Sequence, residues 1–135
     1  MEDLAGKVAF ISGGAGGMGV GMAKAFADAG MKVVLADIRQ DGLDAAHAAL
    51  ADFAGAIFTV RFDVTDRAAW VRAADEAEAA AGPVDLLVNN AGVMLLGPME
   101  QATYQDWDFM LGVTLGGAIN GIQTFVPRMI ARGKG

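Results

Sequence analysis

A glycine-rich segment near the start of the chain constrains the fold more than any other stretch. Five glycines fall within residues 13–19, directly after the apolar run Val8–Ser12 and directly before a run compatible with a helix. Backbone without side chains can approach phosphate oxygens closely, and a helix start adds unpaired N–H groups and a positive dipole end. The order strand, glycine turn and helix therefore predicts a diphosphate-binding turn. A tight structural turn is the alternative.

An acidic residue after the next apolar run supports the binding interpretation. The run that begins at Lys32 ends in Asp37, eighteen residues after Gly19. An acidic residue about 20 residues beyond such a turn is placed to bind a ribose hydroxyl. An ordinary turn or helix-capping role is the alternative for Asp37. The glycine turn and this carboxylate together predict a dinucleotide crevice.

Strand-like and helix-like runs alternate along the whole chain. The predicted strands span about 7–12, 32–37, 56–62 and 85–89, and the predicted helices span about 17–29, 40–53, 66–81 and 104–132. This alternation predicts one α/β domain over residues 1–135, with parallel strands joined by right-handed crossovers.

Local signals mark several helix ends and the buried face of the last helix. Thr65 is the predicted N-cap of the third helix, with Asp66 in its first turn, and Thr103 and Asp106 form a predicted capping box. Pro127 is expected to kink the last helix, because it lacks a backbone donor. Residues that keep helical spacing along this helix and are expected to pack are Tyr104, Trp107, Leu111, Leu115, Ala118, Ile122, Val126 and Met129.

The composition argues against several classes of protein. A net charge of −6 without any basic run argues against a nucleic-acid-binding surface. The chain has no cysteine and one histidine, so we expect neither disulfides nor a metal site. The first residues are acidic and we find no apolar stretch of 18 residues, which predicts neither a signal peptide nor a membrane span. We therefore expect a soluble cytoplasmic protein.

Four motifs, in this order, resemble those of the short-chain dehydrogenase/reductase family. They are Ser12-Gly13-x-x-x-Gly17-Met18-Gly19, Asp63-Val64, Asn89-Asn90-Ala91-Gly92 and Trp107-Asp108. The resemblance covers essentially the whole chain. It implies a Rossmann-type sheet of order 3-2-1-4 with helices on both faces, and a ligand over the carboxyl ends of strands one and four, where the winding reverses.

The resemblance also implies a cofactor site and its residues. Asp37 would hold both adenosine ribose hydroxyls and repel a 2′-phosphate, which favours NAD over NADP, although Arg39 could pair with a phosphate. Asn89 is expected to tie neighbouring strands together. The implied cofactor-binding residues are Gly13, Gly16, Gly17, Met18, Gly19, Asp37, Ile38, Arg39, Asp63, Val64, Asn90, Ala91, Gly92 and Val113.

The family reaction is hydride transfer between a nicotinamide and an alcohol or ketone carbon, with a serine, a Tyr-x-x-x-Lys motif and a relay asparagine. This chain ends before the region that carries the serine and that motif, and Thr114 stands where the asparagine belongs. Its only tyrosine, Tyr104, is expected to pack. The resemblance therefore implies an NAD-binding part that is truncated before the fifth strand and inactive by itself. Some helix and surface segments also resemble bacterial dehydrogenases of benzylic alcohols from lignin-derived aryl ethers.

Three functions stay open from the sequence. The first is the cofactor-binding part of such a dehydrogenase, which binds a dinucleotide and an alcohol or ketone. The second is a non-catalytic nucleotide-binding or interaction module with the same fold. The third is a methyltransferase, which the run Asn89–Gly92 argues against. Strand four would be an apolar sheet edge, so we expect a marginally stable chain or a homo-oligomer that forms through the helix 104–132.

Overall fold

The computed structural model describes residues 3–135, and their centre is a four-stranded parallel sheet. Its strands are β1 (Val8–Ser12), β2 (Lys32–Asp37), β3 (Ile57–Arg61) and β4 (Leu86–Asn89), in the order β3-β2-β1-β4. The predicted α/β class and strand order 3-2-1-4 are confirmed. The predicted extent of one domain over 1–135 stays a prediction, and its first two residues, Met1 and Glu2, lie outside the described part of the chain.

Within residues 3–135, five α-helices connect and extend the strands. They are α1 (Gly17–Asp28), α2 (Gln40–Ala49), α3 (Arg67–Ala81), α4 (Tyr104–Leu111) and α5 (Gly117–Arg132). The residues between α4 and α5, Gly112–Gly116, form a π-helical turn, so the predicted last helix is one helical run with an irregular centre. Short 3₁₀ turns at Ala51–Phe53 and Met99–Gln101 complete the connections.

Each face of the sheet has its own hydrophobic core, because successive strand residues point to opposite faces. Ile11, Val33 and Leu35 belong to one core, with side chains of α1 and α2. On the other face, Phe10 packs against Phe125 of α5 with ring centroids 4.8 Å apart. A second pair with the same separation is Phe62 and Trp70, the largest fully buried side chain. The sheet is therefore covered on both faces.

The face that α5 turns to the sheet differs from the one predicted. Gly117, Gly121 and Phe125 are buried, whereas most of the predicted apolar stripe is exposed, including Leu115 and Ile122. A Cβ on Gly117 would lie 2.9 Å from Val64 Cγ2, so the helix backbone itself lies against the core. Glycine carries no apolar side chain, and the hydropathy pattern therefore marked the wrong face.

Tyr104 and the third helix also correct the sequence predictions. Tyr104 does not pack but is 90% exposed, because it opens α4 ahead of the segment that reaches the sheet. Asp66, not Thr65, is the N-cap of α3, and its carboxylate accepts from the N–H groups of the next turn. Thr65 instead donates its hydroxyl to Asp63. The capping box of Thr103 and Asp106 is confirmed.

A cluster of charges holds α5 against α3. Arg128 donates to Asp75 and Glu78 over 2.7 Å each. Partial burial lowers the pKa of the Arg128 guanidinium, but its hydrogen bonds to both carboxylates raise that pKa by more, so the net shift is upward. Arg132 lies 3.5 Å from Glu78 as well.

The helical run Tyr104–Arg132 is long and apolar enough to cross a membrane by length and composition, with 29 residues and a mean hydropathy of 1.4 in its most apolar window. It corrects the expectation that no such stretch occurs. One such helix is weak evidence for a span, because core helices of globular proteins meet the same criterion. In this chain α5 packs on β4 and α3 through its glycines and Phe125, but only 17% of the apolar window is buried, whereas such core helices are mostly buried.

We expect Gly121→Ala to destabilise the fold by roughly 1–3 kcal/mol, the usual cost of overpacking. Its Cβ would lie 2.9 Å from the buried Trp70 ring and 2.5 Å from Asn89 Oδ1. Gly112→Ala is the matched control in the same helical run, because a Cβ there meets nothing within 4 Å. The control should be neutral or stabilising by up to about 1 kcal/mol in urea unfolding. Equal destabilisation by both changes would contradict the close approach.

We expect Asp106→Asn to weaken the start of α4 only where the carboxyl is ionised. Hydrogen bonds from the Thr103 backbone N–H and hydroxyl hold the pKa of Asp106 below its usual value. A lowered folded-state pKa adds stability above the unfolded value, roughly 3.9, and this stability is lost as the pH falls through the folded pKa. Urea unfolding at pH 7, 4.5 and 3 should show the wild-type advantage shrinking toward zero only below about pH 4. Asp108→Asn, an exposed change in the same helix, should show no such trend.

Candidate functional site

An open crevice of about 680 Å³ lies over the carboxyl ends of β1, β2 and β4. The β2 and β4 strands flank β1 on opposite sides, so the crevice lies where the winding of the sheet reverses. Its lining residues are Gly13, Gly16, Gly17, Met18, Asp37, Ile38, Arg39, Phe62, Asp63, Val64, Thr65, Asn90, Ala91, Gly92, Val93, Phe109 and Val113.

The glycine turn brings backbone against backbone on two sides. Gly13 has a φ of +65°, and a Cβ there would lie 2.8 Å from the Cα of Ala91. A Cβ on Gly14 would lie 2.9 Å from the Cα of Leu35 in β2. A Cβ on Gly19 would lie 2.7 Å from the carbonyl oxygen of Gly13, so Gly19 packs beneath the turn. Side chains at these positions would push the turn out of place.

The start of α1 faces the crevice with free backbone donors. Gly16 is its N-cap, in an extended conformation, and no side chain among residues 3–135 caps it. The first N–H groups of a helix have no partner within the helix, and they attract anions together with the helix dipole. The N–H of Gly16 donates to the carbonyl of Gly13, but Gly17 and Met18, the first two residues of α1, line the crevice, so their donors lie where an anionic group can reach them.

The carboxylate of Asp37 is held beside this turn by two backbone donors. Its Oδ2 accepts from the N–H of Ala15 over 3.2 Å, and its Oδ1 accepts from the N–H of Arg39 over 3.1 Å. The Arg39 guanidinium Nε lies 3.8 Å from the same carboxylate. Each carboxylate oxygen can accept more than one hydrogen bond, so Asp37 keeps acceptor capacity for hydroxyl groups of a ligand.

The hydroxyl of Ser12 joins β1 to the loop after β4. It is buried, with 2% of the residue exposed, and it accepts from the N–H groups of Asn90 and Ala91 over 3.2 Å each. It donates to the carbonyl of Val88 over 3.4 Å. The Asn90 side-chain amide in turn donates to the carbonyl of Gly13 over 3.0 Å. These bonds fix the two loops that form opposite walls of the crevice.

The wall after β3 is anchored in the core. Asp63 Oδ1 accepts from the N–H and the hydroxyl of Thr65 over 2.8 Å each. The carbonyl of Val64 accepts from the Trp70 indole over 2.8 Å and from the Asn120 amide over 3.1 Å. Val64 therefore belongs both to the crevice wall and to the packing under α5.

All but one of the sequence-predicted cofactor residues line this crevice, and Gly19 is the exception. The sequence reasoning missed Phe62, Thr65, Val93 and Phe109. Three of these adjoin a recognised motif, so extension of each motif by one residue would have found them. Phe109 of α4 lies one helical turn before Val113. A helical projection of that segment could therefore have indicated that both side chains line the crevice.

The prediction for the Asn89 side chain is wrong, and the prediction for Thr114 stays a prediction. The Asn89 side chain lies against Gly121 at the sheet edge and makes no hydrogen bond within residues 3–135, so it does not tie strands together. Thr114 does not line the crevice, and its hydroxyl bonds the backbone of Val93. Its predicted place in the family's catalytic set stays a prediction.

The arrangement suits an elongated ligand with an anionic centre. Backbone donors lie at the middle of the crevice, a carboxylate lies on one side of them, and apolar walls flank both ends through Ile38, Val64, Val113 and Phe109. Within residues 3–135 no group of three His, Cys, Asp or Glu side chains is placed to hold a metal ion.

Comparisons with known proteins place the chain among dehydrogenases. The family described as short chain dehydrogenase matches residues 7–135. C alpha-dehydrogenase from Sphingobium sp. (strain NBRC 103272 / SYK-6) is 49% identical in an alignment of 135 residues that covers 99% of this chain and 44% of that protein. The apo form of LigO from Sphingobium sp. strain SYK-6 matches with a TM-score of 0.95 and 54% identity, over 100% of this chain and 50% of that one.

A further solved structure contains a nicotinamide cofactor. A short chain dehydrogenase/reductase from Burkholderia phymatum, in complex with NAD, matches with a TM-score of 0.92 and 36% identity, over 99% of this chain and 48% of that one. The chain thus spans about half the length of these relatives.

We expect Ser12→Ala to destabilise the chain by roughly 1–3 kcal/mol, since it leaves two part-buried N–H groups without their acceptor. Thr124→Ala is the matched control, because its hydroxyl bonds only a carbonyl within its own helix. Urea unfolding should separate the two variants clearly. A loss of stability for Ser12→Ala no larger than that of the control would refute the anchoring role of the hydroxyl.

Proposed function

The chain belongs to the short-chain dehydrogenase/reductase family, and on that premise we propose that its crevice binds NAD(H) as the cofactor-binding part of an enzyme that oxidises alcohols or reduces ketones. The observation that carries this is the glycine turn, where a Cβ at Gly13, Gly14 or Gly19 would strike backbone atoms. Such a side-chain-free turn at an uncapped helix start fits a diphosphate. When bound, the nicotinamide would supply hydride exchange with a carbon of the substrate.

Residues on either side of the turn would hold the rest of the dinucleotide. Asp37 would accept hydrogen bonds from the adenosine ribose, and Asp63 and Val64 would face the adenine. Asn90, Ala91 and Gly92 would bring backbone to the other ribose, and Val113 would lie at the nicotinamide end. All of these residues line the crevice, and the Ser12 and Trp70 hydrogen bonds keep its walls in place.

NAD is favoured over NADP by the charge of Asp37. A 2′-phosphate would lie against this carboxylate, which already receives two backbone hydrogen bonds and whose position is therefore fixed. Arg39 is the one opposing feature, because its guanidinium lies 3.8 Å from the same carboxylate and could pair with a phosphate.

Dinucleotide binding is the part of this proposal that residues 1–135 can test. It carries neither the family's serine nor its Tyr-x-x-x-Lys motif, and its one tyrosine, Tyr104, does not line the crevice. For the whole enzyme, an alcohol carbon attached to an aromatic ring is the substrate that we favour. The identity with C alpha-dehydrogenase and the apolar crevice end at Val93 and Phe109 support that class.

A homo-oligomer that forms through the helical run 104–132 is part of this proposal. Its exposed apolar side chains form a stripe along the π-helical turn and α5 that no described element covers, at Leu115, Ile119, Ile122, Val126 and Ile130. Sedimentation at several concentrations would show self-association, whereas a concentration-independent monomer would contradict it.

We also propose that the protein is soluble and is located in the cytoplasm.

A non-catalytic nucleotide-binding module is the second candidate, and Thr114 at the relay position favours it. The assay uses aryl alcohols and the longest protein that the gene encodes. A rise in NADH absorbance that depends on the alcohol would support the dehydrogenase. If a protein that carries the family's tyrosine and lysine binds NADH without turnover, the result would support the non-catalytic module.

Calorimetric titration with NADH, NADPH and S-adenosylmethionine tests the proposal directly, and NADH should bind best. We expect Asp37→Asn to weaken NADH binding by about ten- to a hundredfold, since hydrogen bonds to charged groups contribute about 1.5–3 kcal/mol. The same change should also reduce the preference for NADH over NADPH. Asp52→Asn, an exposed change outside the crevice, is the control. Equal binding of both dinucleotides by the wild type would overturn the NAD assignment, and no binding of either would overturn the function.

A further inference from the structure

The side chain of Met18 is exposed at the start of α1, inside the crevice. Met18 is the second residue of the helix and lines the crevice, yet 75% of the residue is accessible to solvent. Its N–H and that of Gly17 belong to the first turn, whose donors have no partner within the helix. The thioether sulfur therefore belongs to a residue that also carries one of the donors facing an anionic ligand.

Methionine is the only sulfur-containing residue of this chain, which has eight methionines and no cysteine. Oxidation converts a methionine thioether to a sulfoxide, and it needs access of the oxidant to the sulfur. Met31 lies in the core with 1% of the residue exposed, whereas Met18, Met94 and Met99 are all strongly exposed. Of these three exposed methionines, Met18 is the one that lines the crevice.

Oxidation of Met18 would place a strong acceptor beside the donors of the helix start. A thioether sulfur accepts hydrogen bonds weakly, whereas a sulfoxide is polar and its oxygen carries partial negative charge. That oxygen would compete with an anionic ligand for the N–H groups of Gly17 and Met18. Met18 belongs to neither hydrophobic core, so the change should leave the packing of the sheet intact.

We propose that Met18 is a reversible oxidation site, through which a hydroperoxide lowers the affinity of the crevice for its dinucleotide. The inference rests on the proposed dinucleotide function. The sulfur lone pair attacks the terminal peroxide oxygen, an S–O bond forms and the O–O bond breaks. Sulfur loses two electrons, and the peroxide takes them up and leaves as water or an alcohol, with its proton on the leaving oxygen. A methionine sulfoxide reductase reverses the step, while two thiols become a disulfide and the oxygen leaves as water.

The first test measures NADH binding before and after oxidation. Each protein is treated with hydrogen peroxide, desalted and titrated by calorimetry, and it is compared with its own untreated form. Treated wild type should bind NADH about three- to tenfold more weakly, which corresponds to about one net hydrogen bond. Methionine sulfoxide reductase with dithiothreitol should restore the affinity.

Two variants locate the effect. Met18→Leu conserves the side-chain volume but has no sulfur, so peroxide should leave its own NADH affinity unchanged. Met94→Leu is the matched control, because it removes an equally exposed thioether that does not line the crevice. Treated Met94→Leu should lose as much affinity as treated wild type.

A second readout follows the oxidation itself by peptide mass spectrometry. Met18 should oxidise faster than the buried Met31. NAD⁺ present during the treatment should slow the oxidation of Met18 and leave that of Met94 unchanged. The reason is that a ligand in the crevice covers the first of these side chains and not the second.

Unchanged NADH affinity after Met18 is oxidised, an equal loss in treated Met18→Leu, or no protection by NAD⁺ would each overturn the proposal. A lower urea midpoint for treated wild type than for treated Met18→Leu would also overturn it, because lost affinity would then follow from lost packing. Untreated wild type that binds no NADH would overturn the dinucleotide function, and this inference with it. If Met18→Leu does not fold, protection by NAD⁺ and restoration by the reductase decide, since both are measured on the wild type.

Discussion

The crevice depends on the contact between the glycine turn after β1 and the loop after β4. Two parallel strands end side by side, and their following loops would diverge if nothing joined them. The buried Ser12 hydroxyl accepts two N–H groups from the β4 loop, and Asn90 returns a hydrogen bond to Gly13. Glycine at position 13 is required by the same contact, because a side chain would strike Ala91. The shape of the site is therefore set by backbone, and few side chains are needed to maintain it.

The other walls of the crevice are continuous with the hydrophobic core. Val64 is the clearest case, since its side chain packs on Gly117 while its carbonyl receives the Trp70 indole and the Asn120 amide. The glycines of α5 permit this, because they let the helix backbone approach the sheet. The packing beneath the site and the geometry of the site are therefore coupled, because a change of side-chain volume in that layer would displace a wall of the crevice.

Much of this arrangement could be predicted from local sequence, and the failures have physical reasons. The glycine turn, the strand ends and Asp37 are local patterns, and the family resemblance supplied the strand order. The buried face of α5 was missed because Gly117 and Gly121 have low hydropathy but allow the closest approach. Asp66 rather than Thr65 caps α3 because Asp63 engages the threonine hydroxyl, a competition that no single position reveals. The bond of Thr114 to Val93 joins residues 21 positions apart and required the fold.

The uncapped start of α1 determines what kind of group the middle of the crevice can select. In the free protein, water must satisfy the N–H groups there, and a ligand that displaces this water exchanges one set of hydrogen bonds for another. The net gain from hydrogen bonding alone is then small. What water cannot match is a full negative charge at the positive end of the helix dipole. Selection at this point therefore acts on the ionisation state of the ligand more than on its outline, and added salt should weaken it by screening.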